Sequence, residues 1–572
     1  VADQKPPSTT KKKRPTPPKF TPTRKPDGVS LEEWQTQLRR QFGREQKFKA
    51  RNVGDGLAFS DFAVTNPKSG NTYRVRIRGP HPGDNGCTCP DFATNTLGTC
   101  KHIEFVLAKL ERGRESRREL RGVYEPAVGE VFLRYGSRRE VCYAPPADAP
   151  APLRKLAAKF FDPTGRMRDG VASRFAEFHE AASEHDPDMA VGDGVMEFLA
   201  EQTDGERRAA TVAELFPAGV RSPALDGLLK VPLYDYQREG VLFATRAGRC
   251  LIGDEMGLGK TAMAIATAEA MARHFGVERV LVVCPTSLKH QWNGEITRFT
   301  DRAVRVVDGE KPRRNAAFAD PVPFFKITNY DTVHADLPEI EAWAPDLVIL
   351  DEAQRIKNWT TRVARSVKKV KSPYAVVLTG TPLENRLEEL ISIVQFVDPH
   401  RLGPTFRLLH DHQVRDEVGK VTGYRDLGRI GQTLAPILLR RTKQQVLSQL
   451  PERIESTVFV PMTPEQRVLH TENQELVARI VQKWRRFGFL TERDKQRLMV
   501  GLQNMRMACD SSYLLDSATD HGLKVSEIDT VLGELLEDPS TKVVVFSQWL
   551  RMHELLAKAA EARGWGHVLF HG

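Results

Sequence analysis

The chain has 572 residues, well beyond the ~250–300 at which a single hydrophobic core stops growing, so several domains are expected. Its 40% hydrophobic and 28% charged fractions read as globular, no run approaches the ~18 uninterrupted apolar residues of a membrane helix, and the proline-rich start has no secretory apolar core. A net charge of +10 fits a polyanionic partner without naming one; seven cysteines in so long a chain make no disulfide framework, and the three within fourteen residues point to a metal in a reducing compartment.

Residues 1–27 carry eight basic residues against Asp3 and Asp27, with seven prolines, and read as a disordered basic arm. Residues 28–150 read as a small mixed domain. Ser30 is placed to cap a helix bearing Leu31, Trp34, Leu38 and Phe42, and strand-like runs follow at Leu57–Val64 and Tyr73–Ile77. Cys87-Thr88-Cys89 and Cys100-Lys101-His102 then form C-x-C…C-x-H with ten residues between the pairs. Three thiolates and one imidazole satisfy tetrahedral Zn2+ in a structural role, and Ile103–Leu110 continues as an apolar-faced helix. Cys142, Cys250, Cys284 and Cys509 stand singly and read as core. Residues 151–225 read as a helical connector.

From about residue 226 short apolar runs follow one another: Cys250–Ile252, Val280–Cys284, Phe324–Ile327, Leu347–Leu350 and Ala375–Leu378. Helical stretches or polar loops separate them, which indicates a parallel sheet covered on both faces, over residues 226–410. Residues 411–510 read as a helical segment. Residues 511–572 read as the start of a second α/β domain, with a strand at Lys542–Phe546, a helix over Trp549–Arg563 and a strand at His567–Phe570.

The sharpest motif is Gly253-Asp254-Glu255-Met256-Gly257-Leu258-Gly259-Lys260-Thr261, set between an apolar strand and the helix Thr261–Phe275. Glycines let backbone N–H groups approach phosphates, and a helix N-terminus adds orphan donors. Lys260 would contact the β- and γ-phosphates and the Thr261 hydroxyl would ligate Mg2+. Asp254 stands where the general pattern has its first glycine. Leu347–Leu350 is a strand ending in Asp351-Glu352, at the edge where open parallel sheets bind ligands. Asp351 can hold Mg2+ and Glu352 can activate water, so ATP hydrolysis is the reading, with Lys260, Asp351 and Glu352 catalytic.

These motifs, with Leu378-Thr379-Gly380-Thr381-Pro382-Leu383-Glu384-Asn385, resemble the Snf2-type ATPases of helicase superfamily 2. Leu233–Gly240, Cys284–Leu288 with Gln291-Trp292, Ile327–Asp331, Leu439–Lys443 and Val545–Trp549 continue the series in order. The resemblance spans roughly residues 226–572. It implies an α/β fold with a first RecA-like lobe, a helical insertion and an incomplete second RecA-like lobe, acting as an ATP-dependent translocase on double-stranded DNA that remodels protein–DNA complexes. By the same resemblance Gln237 reads adenine beside the loop Asp254–Thr261, and Thr379, Gly380 and Thr381 couple nucleotide to DNA movement. Pro285, Thr286 and Ser287 lie near the DNA backbone, while Arg440, Arg441 and Lys443 contact phosphates or form a solvated face. Trp292 reads as core. The metal motif and its flanking Cys-Pro-Asp-Phe resemble the SWIM zinc finger, which implies contact with DNA or a protein partner. The family's arginine finger lies well beyond Ser547-Gln548-Trp549, so a C-terminally truncated chain that binds ATP but hydrolyses it weakly alone is expected. Pairing SWIM with this motor resembles bacterial architectures and implies a cytoplasmic, nucleoid-associated location. The competing readings are an RNA helicase of the same superfamily and a zinc-dependent adaptor with vestigial ATPase.

Overall fold

Ser30 Oγ accepts the Glu33 N–H at 3.1 Å and starts the helix Leu31–Glu45, which buries Trp34. Phe42, expected on the same face, is instead half-exposed, with the Lys101 ammonium 5.5 Å from its ring. Gly43 lets this helix lie against the helix Lys101–Leu110, because a Cβ there would meet Lys101 O at 2.7 Å. Beside the helices runs an antiparallel sheet of β1 (Lys49–Asn52), β2 (Asp61–Thr65), β3 (Thr72–Arg76) and β4 (Gly86–Cys87), in that order. Val64, Val75, Ile77 and Ile103 are fully buried between sheet and helix.

The computed structural model describes residues 19–22, 25–135, 139–192, 194–359, 361–380, 387–416, 420–446, 456–538 and 540–570. Most of the expected basic arm, Thr381 and the rest of the run to Asn385 lie outside the described residues. Two compact units are formed, Val1–Ser448 and Gln449–Gly572.

The expected boundary at residue 150 runs through a folded element. β5 (Glu130–Tyr135) pairs antiparallel with β6 (Arg139–Ala144) and parallel with β7 (Ala190–Val191). Helices Ala151–Phe160 and Phe175–Ser183 pack on this sheet through a shared core that includes Val131, Leu153, Phe178 and Leu199. The stretch after 150 is therefore half of a small α+β layer. Its last helix, Val195–Leu215, reaches forward and buries Val212 in the next core.

That next core surrounds a seven-stranded, all-parallel sheet. Its strands are β8 (Arg249–Ile252), β9 (Val280–Cys284), β10 (Val304–Val306), β11 (Phe325–Asn329), β12 (Leu347–Leu350), β13 (Tyr374–Leu378) and, after the β14–β15 hairpin (Gln413–Arg415, Val421–Tyr424), β16 (Leu438–Leu439). The order across the sheet is β10-β11-β9-β12-β13-β8-β16. Alternate residues feed two separate apolar layers, Cys250 and Ile252 into one and Leu251 into the other, as a sheet covered on both faces requires. The five expected strands form. β10 and β16 were not anticipated, being only three and two residues long. Because β16 joins this sheet, the expected boundary at 410 moves beyond Leu439.

In the second unit, helices Pro464–Phe487 and Glu492–Ala508 pack together, each opened by a capping box, Thr463 with Gln466 and Thr491 with Asp494. Helix Leu550–Ala562 forms as expected. The strands expected at Lys542–Phe546 and His567–Phe570 do not. A strand exists only within a hydrogen-bonded ladder, and these runs pair with no neighbour among the described residues. Phe546, Val568 and Phe570 are each more than nine-tenths exposed.

Candidate functional site

β8 delivers the chain into the Gly253–Gly259 turn, and the helix Lys260–Phe275 leaves it. Gly257 and Gly259 have φ of +86° and +74°, a conformation that excludes most side chains. The N–H groups of these two glycines donate to no backbone carbonyl among the described residues, which leaves a pair of orphan donors at a helix N-terminus. Gln237 closes the turn from above: its Oε1 accepts the Tyr234 N–H at 3.1 Å, and a Cβ on Gly259 would lie 2.4 Å from its Nε2. Leu258 is fully buried, Glu255 and Met256 are exposed, and Thr261 is half-buried in the first helical turn.

Lys260 Nζ donates to Asp254 O at 2.8 Å and Glu255 O at 3.3 Å. Burial pulls its pKa down, and the carboxylates of Glu352, Asp254, Asp351 and Glu255 oppose that, so the ammonium lies in the field of all four. Asp351 follows β12. Its Oδ2 accepts the Trp292 indole N–H at 2.8 Å, its Oδ1 accepts the Glu352 N–H at 2.9 Å, and its carbonyl accepts the Tyr330 hydroxyl at 2.7 Å. Burial raises the Asp351 pKa and the Trp292 hydrogen bond works against it. Trp292 is indeed core, 2% exposed, but it also aims a carboxylate that lies 59 positions away in the chain, a role its sequence neighbours did not disclose. Glu352 takes a left-handed conformation, φ +50°, unusual outside glycine and a mark of a locally strained turn.

A hydrogen-bonded path joins this turn to the phosphate loop. Glu352 Oε2 accepts from Gln354 Nε2 at 2.5 Å, Gln354 Oε1 accepts from Thr379 Oγ1 at 3.3 Å, and the Thr379 N–H donates to Ile252 O at 3.2 Å. Gly380 lies against Met256, where a Cβ would meet Cγ at 2.9 Å. Thr379 and Gly380 thus sit between loop and acids. Thr286 and Ser287 are exposed beyond β9, following the half-buried Pro285, and Thr286 Oγ1 accepts from Asn329 Nδ2 at 2.9 Å.

The three basic residues after β16 separate. Arg440 and Lys443 are exposed. Arg441 is 8% exposed, and Asp254 is fully buried against it: Arg441 Nη2 lies 2.5 Å from Asp254 Oδ2, and its backbone N–H donates to Oδ1 at 2.9 Å. Arg441 Nη1 also donates to Glu239 Oε2 at 2.9 Å and Tyr236 O at 2.5 Å. Neither expectation for Arg441, contact with phosphates or a solvated face, matches its place: its guanidinium is consumed by a buried ion pair. The same pair explains why a carboxylate replaces glycine at position 254.

Cys87, Cys89, Cys100 and His102 converge, their ligand atoms all within 4.8 Å of one another and all four side chains buried. β4 ends at Cys87, Cys89 caps the helix Pro90–Asn95, and Cys100 and His102 begin the helix Lys101–Leu110, so short local elements bring the pairs together. His102 Nδ1 lies 3.8 Å from Cys87 Sγ and 4.0 Å from Cys100 Sγ, near the ~3.8 Å edge of a tetrahedron with ~2.3 Å metal–sulfur bonds. Burial, then the neighbouring sulfurs, push the Cys100 thiol well above its ordinary range, a penalty that a cation would remove. The donor set fits a soft divalent ion such as Zn2+.

A parallel sheet with a phosphate loop after one strand and paired carboxylates after another defines a P-loop nucleotide-binding lobe. Residues 197–514, more than half of the chain, match the family of SNF2-related domains, and the chain belongs to that family. A Bacillus subtilis protein whose name, YwqA, carries the words ATP-dependent helicase/translocase is 29% identical over 384 residues, 64% of this chain and 40% of that protein. The human SWI/SNF-related matrix-associated actin-dependent regulator of chromatin subfamily A member 1 is 28% identical over 365 residues, 60% of this chain and 34% of that protein. The chain spans less than half the length of these relatives. Among solved structures, the Sulfolobus solfataricus SWI2/SNF2 ATPase core in complex with double-stranded DNA is 25% identical, covering 58% of this chain and 70% of that one with a TM-score of 0.37. No helix among the described residues is long and apolar enough to cross a membrane.

Proposed function

We propose that this chain carries the ATP-hydrolysing lobe of an SNF2-type motor that moves on double-stranded DNA and remodels protein–DNA complexes. The observation that carries the reading is the convergence of the loop after β8 with Asp351 and Glu352 after β12, linked through Gln354 and Thr379 at the C-terminal edge of one parallel sheet, beside the orphan donors of Gly257 and Gly259. In this assignment Gly257–Thr261 cradle the phosphates and Gln237 stands at the base. Thr261 and Asp351 hold Mg2+, which supplies neutralisation of phosphate charge. Glu352 orients water and accepts its proton, and the Gln354–Thr379 path tells the phosphate loop what the acids are doing. Thr286, Ser287 and Arg440, all exposed, remain the candidates for the DNA backbone. The wording of the relatives' names supports helicase- or translocase-type work.

The N-terminal centre is assigned a structural Zn2+ on Cys87, Cys89, Cys100 and His102, in a SWIM-like module that offers a surface to DNA or to a protein partner. All four donors are engaged by one ion, which leaves no open position for chemistry. The decisive experiment on the motor reading is Mg-ATP binding by calorimetry, followed by steady-state ATPase with duplex DNA, single-stranded RNA or neither. Uptake of Mg-ATP is expected, and such turnover as the chain shows alone is expected to respond to duplex DNA rather than to RNA. No uptake would remove the motor assignment, and preferential stimulation by RNA would move it to the RNA helicases.

A further inference from the structure

The loop Gly253–Gly259 has a companion strand that runs on past β16. Leu251 N–H donates to Ile437 O and Gly253 N–H to Leu439 O, both at 2.7 Å, and Glu255 N–H donates to Arg441 O at 2.9 Å. Alternate N–H groups are used in turn, so the β8–β16 pairing continues into the phosphate loop itself. A return bond follows, with Lys443 N–H donating to Glu255 Oε2 at 2.8 Å. Between these contacts the buried Asp254–Arg441 pair fixes the two stretches side by side.

This pairing lays the Lys443 side chain across Gly257. A Cβ on Gly257 would sit 3.3 Å from Lys443 Cε and 3.4 Å from its Nζ. The ammonium therefore hangs beside the orphan donors of the loop, and no carboxylate oxygen lies within ion-pair distance of it among the described residues. A cation beside unpaired N–H groups at a helix N-terminus attracts an oxyanion, which at the proposed nucleotide site is a phosphate oxygen. We propose that Lys443 is a second phosphate-facing cation of the nucleotide site and that Arg441 is the residue that positions it. The proposal rests on the nucleotide reading above and moves Lys443 from the DNA backbone to ATP. It also ties nucleotide occupancy to the chain leaving the lobe through Lys443–Val446, because the group that senses the phosphates is carried by that segment.

The test uses the full chain, with Mg-ATP and AMP affinities measured by calorimetry and duplex-DNA affinity measured against salt. Lys443→Met is expected to weaken Mg-ATP by about tenfold or more while AMP changes less than about twofold, and Lys443→Arg is expected to recover most of the loss. Arg441→Met is expected to weaken Mg-ATP without adding to Lys443→Met, as a residue acting through Lys443 must. Should Arg441→Met fail to fold, Lys443→Met decides alone. Unchanged Mg-ATP affinity in Lys443→Met overturns the proposal. So does a drop in duplex binding with the salt slope reduced by about one, at constant Mg-ATP affinity, which would return Lys443 to DNA. If the unmodified chain takes up no Mg-ATP, the nucleotide reading falls and this assignment falls with it.

Discussion

The Cys–His centre and the nucleotide site solve the problem of convergence in opposite ways. The first gathers four ligands from residues 87–102, using a strand end and two helix starts. The second draws on β8, β12, β13, the helix beginning at Asp235 and the segment after β16, with Asp254 and Arg441 separated by 187 positions. The local centre crowds three thiols and an imidazole into one buried cluster beside the apolar core of its module, a cost that a cation would offset. A dispersed one is held by the sheet beneath it and can spare its side chains for chemistry.

That contrast can be broken experimentally. The largest effect is expected from a chelator that strips the proposed Zn2+: binding free energy of order 10 kcal/mol is folding free energy in such sites, so protection against hydrogen exchange across residues 49–110 should collapse while Mg-ATP affinity stays within about twofold. Joint loss of both would show that the two regions are not independent. Next in size, Lys260→Ala should weaken Mg-ATP by about a hundredfold with the melting temperature little changed, since among the described residues its ammonium bonds only loop carbonyls.

A smaller effect, of about tenfold in Mg-ATP affinity, is expected for Trp292→Phe, which removes the indole donor from Asp351. The pH dependence has a definite sign. Burial raises the Asp351 pKa, so its ionised form costs stability above the folded pKa and that cost is relieved as pH falls. Metal binding runs the other way, because the proton competes for the carboxylate. Without the indole the pKa climbs further, so the acid-side loss of Mg-ATP binding should move to higher pH in Trp292→Phe. The smallest effect is Ser30→Ala, expected to cost about 1 kcal/mol in thermal unfolding of the N-terminal module by deleting a helix cap.

What could be read from the sequence follows the same division. Cys87–His102 and Gly253–Thr261 are contiguous, and residue type and spacing alone mark them as candidate sites. The five longer strands showed as apolar runs because both faces are covered. β16 and the Asp254–Arg441 pair did not show: a two-residue strand has no periodicity, and a partner 187 positions away leaves no local trace. The misplaced cut at residue 150 has a similar cause, since β5 and β6 find β7 only after two intervening helices. Asp254 was the one hint. A carboxylate in a glycine's place asks for a buried cation, and the sequence held several arginines able to answer.

The position of β16 also bears on how the chain matures during synthesis. β8 is made early yet acquires its outer neighbour only when Leu438 and Leu439 emerge, and until then its backbone is a bare ladder edge able to recruit other chains. Pairings of such long sequence separation form slowly. The ribosome must therefore release nearly two hundred further residues before the nucleotide loop gains its flanking wall, which makes that interval the one in which nascent chains most need shielding from one another.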